Sequence, residues 1–249
     1  MNLRLLGILI LILTISGLGQ DNPWPTPTIA DFPKIVLQGR TIRDFVPNNF
    51  NLVSQVSGDL NGDKLPDIAL HIKGSSSRFI TKLDFNEYDA NPRILLILFK
   101  ENNQKGYGLA EQSNTFIITP DSPARSEPFQ GMSIKKGVLK IAFELWLSAG
   151  GWEATNATYK FRYQNHQLFL IGADREDYMR NSIETYKESY NFLSRKVKIT
   201  EGLRKDIENP ETYKTKTTIK WRQLPQVKPR GLKDLGPAFS WEIEPGYFL

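Results

Sequence analysis

The sequence predicts an all-β protein of mostly antiparallel strands, arranged as a sandwich or a propeller-like sheet fragment, with minor helix and an irregular C-terminal segment. Two observations carry that expectation. From Ile35 onward the chain breaks into short apolar or alternating runs punctuated by Gly, Pro, Asn and Asp, the pattern of strands joined by turns. In its middle, alternating runs flank the pairs Lys136-Gly137 and Asn165-His166, and such pairs suit the positive φ of a tight hairpin turn.

Taken in chain order, Arg4 precedes the apolar run Leu5 to Ile15, and Ser16-Gly17-Leu18-Gly19 supplies small residues for a cleavage site before Gln20. Residues 1–19 therefore read as a secretory signal peptide, with an apolar run shorter than the about 20 residues a membrane helix needs. The mature chain is expected in the periplasm or outside the cell, with no transmembrane segment. Residues 20–34 contain Asn22-Pro-Trp24-Pro-Thr-Pro27, where prolines at close intervals fix φ and remove backbone donors. That stretch is expected to be an arm or linker.

A β-rich domain is expected over residues 35–225. Ile68 to Ile72 and Thr115 to Thr119 read as strands, and Ile94 to Phe99 as a strand buried on both faces. Met132 to Lys135 and Val138 to Trp146 flank the first turn; Ala157 to Tyr163 and Gln167 to Ile171 flank the second. Tyr159, Phe161 and Tyr163 alternate with Lys160 and Arg162, so the aromatic face belongs to the core. Asp174 to Tyr190 is polar and reads as a loop or short helix. Tyr190 to Leu193 and Val197 to Ile199 read as strands around Ser194-Arg195-Lys196, and Lys214 to Arg222 is strand-like. Pro229, Pro237 and Pro245 mark residues 226–249 as an irregular tail.

Composition removes several functional classes. The net charge is +5, from 32 Lys and Arg against 27 Asp and Glu, but the basic residues are scattered among acids. A nucleic-acid reader needs them clustered with interleaved aromatics, so no nucleic-acid partner is expected. The densest basic region, Lys196 to Lys233, reads as a solvated face, with attraction to acidic polymers as the alternative. There is no cysteine, which excludes disulfides, thiol nucleophiles, thiolate zinc sites and a lipid-modified cysteine. The two histidines sit in an apolar strand (His71) and a hairpin turn (His166), and neither is placed as a triad base. No nucleophile elbow, phosphate-cradling loop or dinucleotide fingerprint is present.

The densest chemical signal is the loop Asp59-Leu-Asn61-Gly-Asp63-Lys-Leu65-Pro-Asp67. Oxygen-bearing side chains at alternating positions of a turning backbone can converge on one hard cation, and the spacing suits calcium. The segment Gly58 to Leu70 resembles the aspartate-rich, strand-leading loop of FG-GAP or VCBS-type repeats. That resemblance implies side-chain ligands from Asp59, Asn61, Asp63 and Asp67 and a backbone carbonyl from Leu65. More broadly, Gly150-Gly-Trp152, Tyr159 to Asn165 and Leu168 to Gly172 resemble a group of secreted bacterial proteins carrying one such loop upstream. Two departures stand out. Lys64 occupies the sixth loop position, where glycine is usual, and a single copy cannot build a whole propeller. Leu70 stands where an EF-hand has its bidentate Glu, so the loop is not an EF-hand. The competing reading is an Asp/Asn turn whose side chains cap their own backbone.

Function rests on the middle of the chain. Trp146 and Trp152 suit a stacking platform for sugar rings, because an indole offers an apolar face and a polar edge. Glu144, Glu153, Asp174, Glu176 and Asp177 instead offer the paired carboxylates of a glycosidase. The expectation is a non-catalytic binding or envelope-associated module holding calcium, with a glycan or envelope protein as partner. The alternative is a polysaccharide-acting hydrolase.

Overall fold

A computed structural model describes residues 24–84, 87–101, 106–120, 122–146, 152–179, 184–203, 217–226 and 228–249. The expected leader, Gly150-Gly151 and Lys214 to Lys216 lie outside the described residues. The first half of the chain supplies β1 (Gln38–Gly39), β2 (Phe50–Gly58), β3 (Asp67–Gly74), β4 (Ile80–Lys82), β5 (Glu87–Asp89), β6 (Arg93–Lys100) and β7 (Tyr107–Ser113). Five of these make a small antiparallel sheet in the order β1-β7-β6-β3-β2, while β4 and β5 pair separately.

Strands β3 and β6 are apolar at successive positions because both faces of the small sheet are covered. Ile68, Leu70, Ile72, Ile94, Leu96 and Leu98 pack on one side against Ile35, Phe45, Val46 and Phe50. Ala69, Leu95 and Ile97 point the other way into the main core. The expectation for Ile94 to Phe99 holds. The Pro-rich arm is anchored at Trp24, whose ring lies tilted at 5.5 Å from Tyr88 beside Phe79 and Ala90.

The second half continues with β8 (Phe129–Lys135), β9 (Val138–Trp146), β10 (Glu153–Gln164), β11 (Gln167–Met179), β12 (Glu184–Asn191), β13 (Lys196–Leu203) and β14 (Thr218–Gln223). They form a large seven-stranded antiparallel meander in chain order. Both expected hairpins are present. Lys136 and Gly137 have φ of 52° and 71°, and Asn165 and His166 of 47° and 64°, which matches a two-residue turn following the strand twist. The inner face of this sheet, carrying Ala157, Tyr159 and Phe161, packs on the small sheet's Ala69, Leu95 and Ile97. Asn156, Thr158 and Lys160 alternate onto the outer face.

Three expectations need correction. Within Asp174 to Tyr190, read as a loop or short helix, the described residues are strand: β11 runs through Met179 and β12 starts at Glu184, with residues 180–183 outside the described residues. Its polar residues have partners across the strands, with Asp174 held by Lys160 at 2.7 Å and Glu176 accepting from Thr185 at 2.8 Å, so pairing replaces the usual apolar period. Thr115 to Thr119 is not a strand. Phe116 leaves β7 through a turn held by Ser113 Oγ at 3.1 Å, and its ring meets Tyr159 and Phe161 at 5.2 Å and Phe143 at 5.8 Å.

The third correction concerns the tail. Residues 226–249 are irregular in outline, yet a 3-10 turn at Leu232–Asp234 leads to β15 (Glu242–Glu244) and β16 (Tyr247–Phe248). Leu232, Leu235, Ala238, Trp241, Ile243 and Leu249 belong to the main core. Leu170 N donates to Arg230 O at 3.0 Å and Phe239 N to Tyr159 Oη at 2.8 Å. Prolines stop this segment from forming long strands, but its apolar residues still need burial and find it on the inner face of the large sheet.

Candidate functional site

The acidic loop joins β2 to β3 at the end of the small sheet. Lys64 and Gly62 have φ of 69° and 87°, and glycine carries such a conformation without the steric cost that Lys64 bears. The side chains wrap the loop's own backbone. Asp59 Oδ1 and Oδ2 accept from Gly62 N at 2.7 Å and Lys64 N at 3.0 Å. Asn61 Oδ1 accepts from Asp63 N at 2.9 Å, and Asp63 Oδ1 from Leu65 N at 2.7 Å. Asp63 Oδ2 also accepts from Asn61 Nδ2 at 3.0 Å. Asp67, fully buried, takes Leu60 N at 2.8 Å, Asn61 N at 3.3 Å and Lys100 N at 3.0 Å.

Asp67 is thus the keystone that ties the loop to the edge of β6. Burial pushes its carboxyl above the usual range, the three backbone N–H groups pull it back, and the charge of Asp63 adds to the rise. Leu65 O accepts from Asp67 N at 3.1 Å. Among the described residues, no group of three or more His, Cys, Asp or Glu converges as a metal cage. Around Asp59, Asn61 and Asp63 the loop geometry is that of nested Asx turns, each bonded oxygen having one lone pair occupied and another available, whereas Asp67 Oδ2 accepts from both Leu60 N and Asn61 N.

Around the β9–β10 connection the structure separates the candidate residues by face. Trp152, directly before β10, is 58% exposed, whereas Trp146 at the end of β9 is half-buried. Trp146 and Tyr178 both register against Ala154 from opposite sides, which places the two aromatics on the outer face. Glu144, Asn156 and Glu176 form the adjacent cross-strand row. Tyr178 Oη donates to Glu144 at 3.2 Å, and Lys187 lies 3.9 Å from Glu176. Glu144 and Glu176 therefore share a sheet face two strands apart, about 10 Å, rather than facing each other across a cleft.

Asp177 lies on the inner face and does different work. It accepts from Thr155 Oγ1 at 2.7 Å and pairs with Arg175 at 3.0 Å, while Arg175 Nη1 reaches Phe248 O at 2.7 Å. Beside it, Glu188, only 2% exposed, accepts from Tyr190 Oη at 2.5 Å and Tyr186 Oη at 3.2 Å and lies 3.7 Å from Arg222. Arg222 in turn bonds Glu244 on β15. Burial and the Glu188 charge push both tyrosine hydroxyls up. This network fastens the C-terminal hairpin onto the large sheet.

One grouping escaped the sequence reading. The register of the large sheet aligns Lys140, Lys160 and Lys196 in one row, and Asp174, Ser189, Lys198 and Trp221 in the next. These residues come from strands far apart in the chain, so only a correct prediction that β11 and β12 pair would have revealed them. No family model matches this chain, and no curated protein or solved structure matches it. Fold and site together define an all-β chain whose sheets are not closed, with a polar, partly aromatic outer face.

Proposed function

We propose that the chain is a secreted, non-catalytic binding module for a glycan or an envelope protein, with one calcium ion tying down the loop before β3. The observation that carries the binding reading is Trp152, an indole 58% exposed at the rim of a polar sheet face. An exposed Trp there offers a stacking surface at low conformational cost. The candidate acids support binding over hydrolysis. Asp174 and Asp177 are held by Lys160 and Arg175, and Glu176 by Thr185, and they are divided between two faces of one sheet.

For calcium, the support is the likeness to FG-GAP and VCBS loops together with the donor set. Asp59, Asn61, Asp63 and Asp67 would supply side-chain oxygens and Leu65 its carbonyl, each retaining a lone pair beyond its backbone contact except Asp67, which keeps one on Oδ1 alone. A cation would offset the repulsion between Asp63 and Asp67. The binding reading is tested with Trp152→Ala on a panel of oligosaccharides. Binding should weaken while the melting temperature stays nearly constant. A fall of several degrees with binding intact would overturn it.

A further inference from the structure

The outer face of the large sheet holds a track that crosses the strands. In one row Lys140, Lys160, Gly172, Asn191 and Lys196 register in succession from β9 to β13. In the neighbouring row Thr158, Asp174, Ser189, Lys198 and Trp221 do the same from β10 to β14. At about 4.8 Å per strand, the first row is about 19 Å long.

Charge on this track is one-sided. Asp174 is the only acid in the two rows, and Lys160 takes it at 2.7 Å. Among the described residues, Lys140, Lys196 and Lys198 make no ion pair. Gly172, buried at the centre between them, has no room for a side chain, because a Cβ there would meet Tyr190 O at 2.5 Å. Its neighbours Thr158, Ser189 and Asn191 offer hydroxyls and an amide. Trp221, 66% exposed, stands at the β14 end.

We propose that this track binds a linear, carboxylate-bearing polysaccharide of the uronate type, laid across the strands, with Trp221 stacked on a sugar ring. The assignment rests on the binding-module reading and names its ligand class. Lysine point charges attract spaced carboxylates without demanding the fixed bidentate geometry of an arginine fork, and the one-sided charge of the two rows is complementary to a polyanion. A single-stranded nucleic acid needs an aromatic platform for successive bases, and each of these two rows holds at most one aromatic. Trp221 and Ile219 are large exposed apolar side chains confined to the β14 end, and the floor of Gly, Ser, Thr and Asn between the lysines offers no continuous apolar face to a lipid bilayer.

The test is titration calorimetry of the full chain against a short uronate oligomer, a neutral glucan oligomer of equal length, single-stranded DNA and anionic vesicles. The uronate oligomer should bind, with affinity falling as salt rises. Lys196→Gln with Lys198→Gln should weaken it at least tenfold and flatten the salt dependence. Trp221→Ala should weaken it with the salt dependence kept. The control Lys34→Gln with Lys82→Gln removes the same charge from exposed positions elsewhere and should leave affinity unchanged. An equal loss in the control, or tighter binding of DNA or vesicles, overturns the assignment. Neutral-glucan binding abolished by Trp152→Ala, with no uronate binding, overturns it while the binding-module reading stands. Binding of neither saccharide removes the glycan form of both.

Discussion

His71 gives the protein a calculable acid sensitivity. The side chain lies on β3, 1% exposed, between the two sheets, with Phe129 edge-on at 4.4 Å. Neither ring nitrogen has a hydrogen-bond partner among the described residues. Burial, with Arg93 and Lys73 nearby, pushes its pKa from 6.5 down to about 3. The unfolded chain therefore binds a proton that the folded chain refuses. Stability from the neutral ring is fully present above 6.5 and is lost as pH falls toward about 3. Linkage between those two values makes the fold about 3 kcal/mol less stable at pH 4 than at pH 7 from this residue alone. His71→Leu removes the term and also removes a buried donor without an acceptor, so the variant should be at least as stable as the parent at pH 7. Urea unfolding of both proteins at several pH values isolates the effect, because the carboxylate contributions are common to both. Parallel stability curves between pH 7 and pH 4 would refute the reasoning.

Two further outcomes follow from the loop and the core. Excess calcium should raise the melting temperature, with about 2.7 kcal/mol of stabilisation at a hundredfold excess over the dissociation constant; magnesium should substitute poorly, and Asp63→Ala should abolish the response. Identical calorimetric melting in calcium and in chelator would leave the loop as a set of Asx turns. Phe116→Ala should cost about 3–5 kcal/mol in chemical denaturation, because its ring is fully buried against Phe143, Tyr159 and Phe161, whereas a loss under about 1 kcal/mol would mean that the site collapses to fill the space.

The fold was legible where side-chain period and turn chemistry agreed. Lys136-Gly137 and Asn165-His166 located two hairpins, and the unbroken apolar run at Ile94 correctly signalled burial on both faces. Legibility failed where polar residues satisfy one another. Asp174, Arg175, Glu176 and Asp177 look like a loop along the chain, yet they are strand residues because their partners Lys160, Thr155 and Thr185 arrive from neighbouring strands. It also failed at the C-terminal segment, where prolines correctly forecast irregular backbone but said nothing of where Trp241, Ile243 and Leu249 are buried. For the candidate site, the loop residues were readable because they are local. The lysine track was not, since it exists only once five or more strands are in register.

The fastening of the C-terminal segment also sets the timing of folding. The meander from β8 to β14 is built of neighbouring hairpins, which close quickly because their contacts are local. Its inner face, however, is completed by contacts such as Phe239 to Tyr159, 80 residues apart, and Phe248 to Arg175, 73 apart. Until those contacts form, the sheet carries an uncovered apolar surface and an unanchored Glu188 cluster. That interval, rather than the equilibrium stability of the finished fold, is when self-association competes.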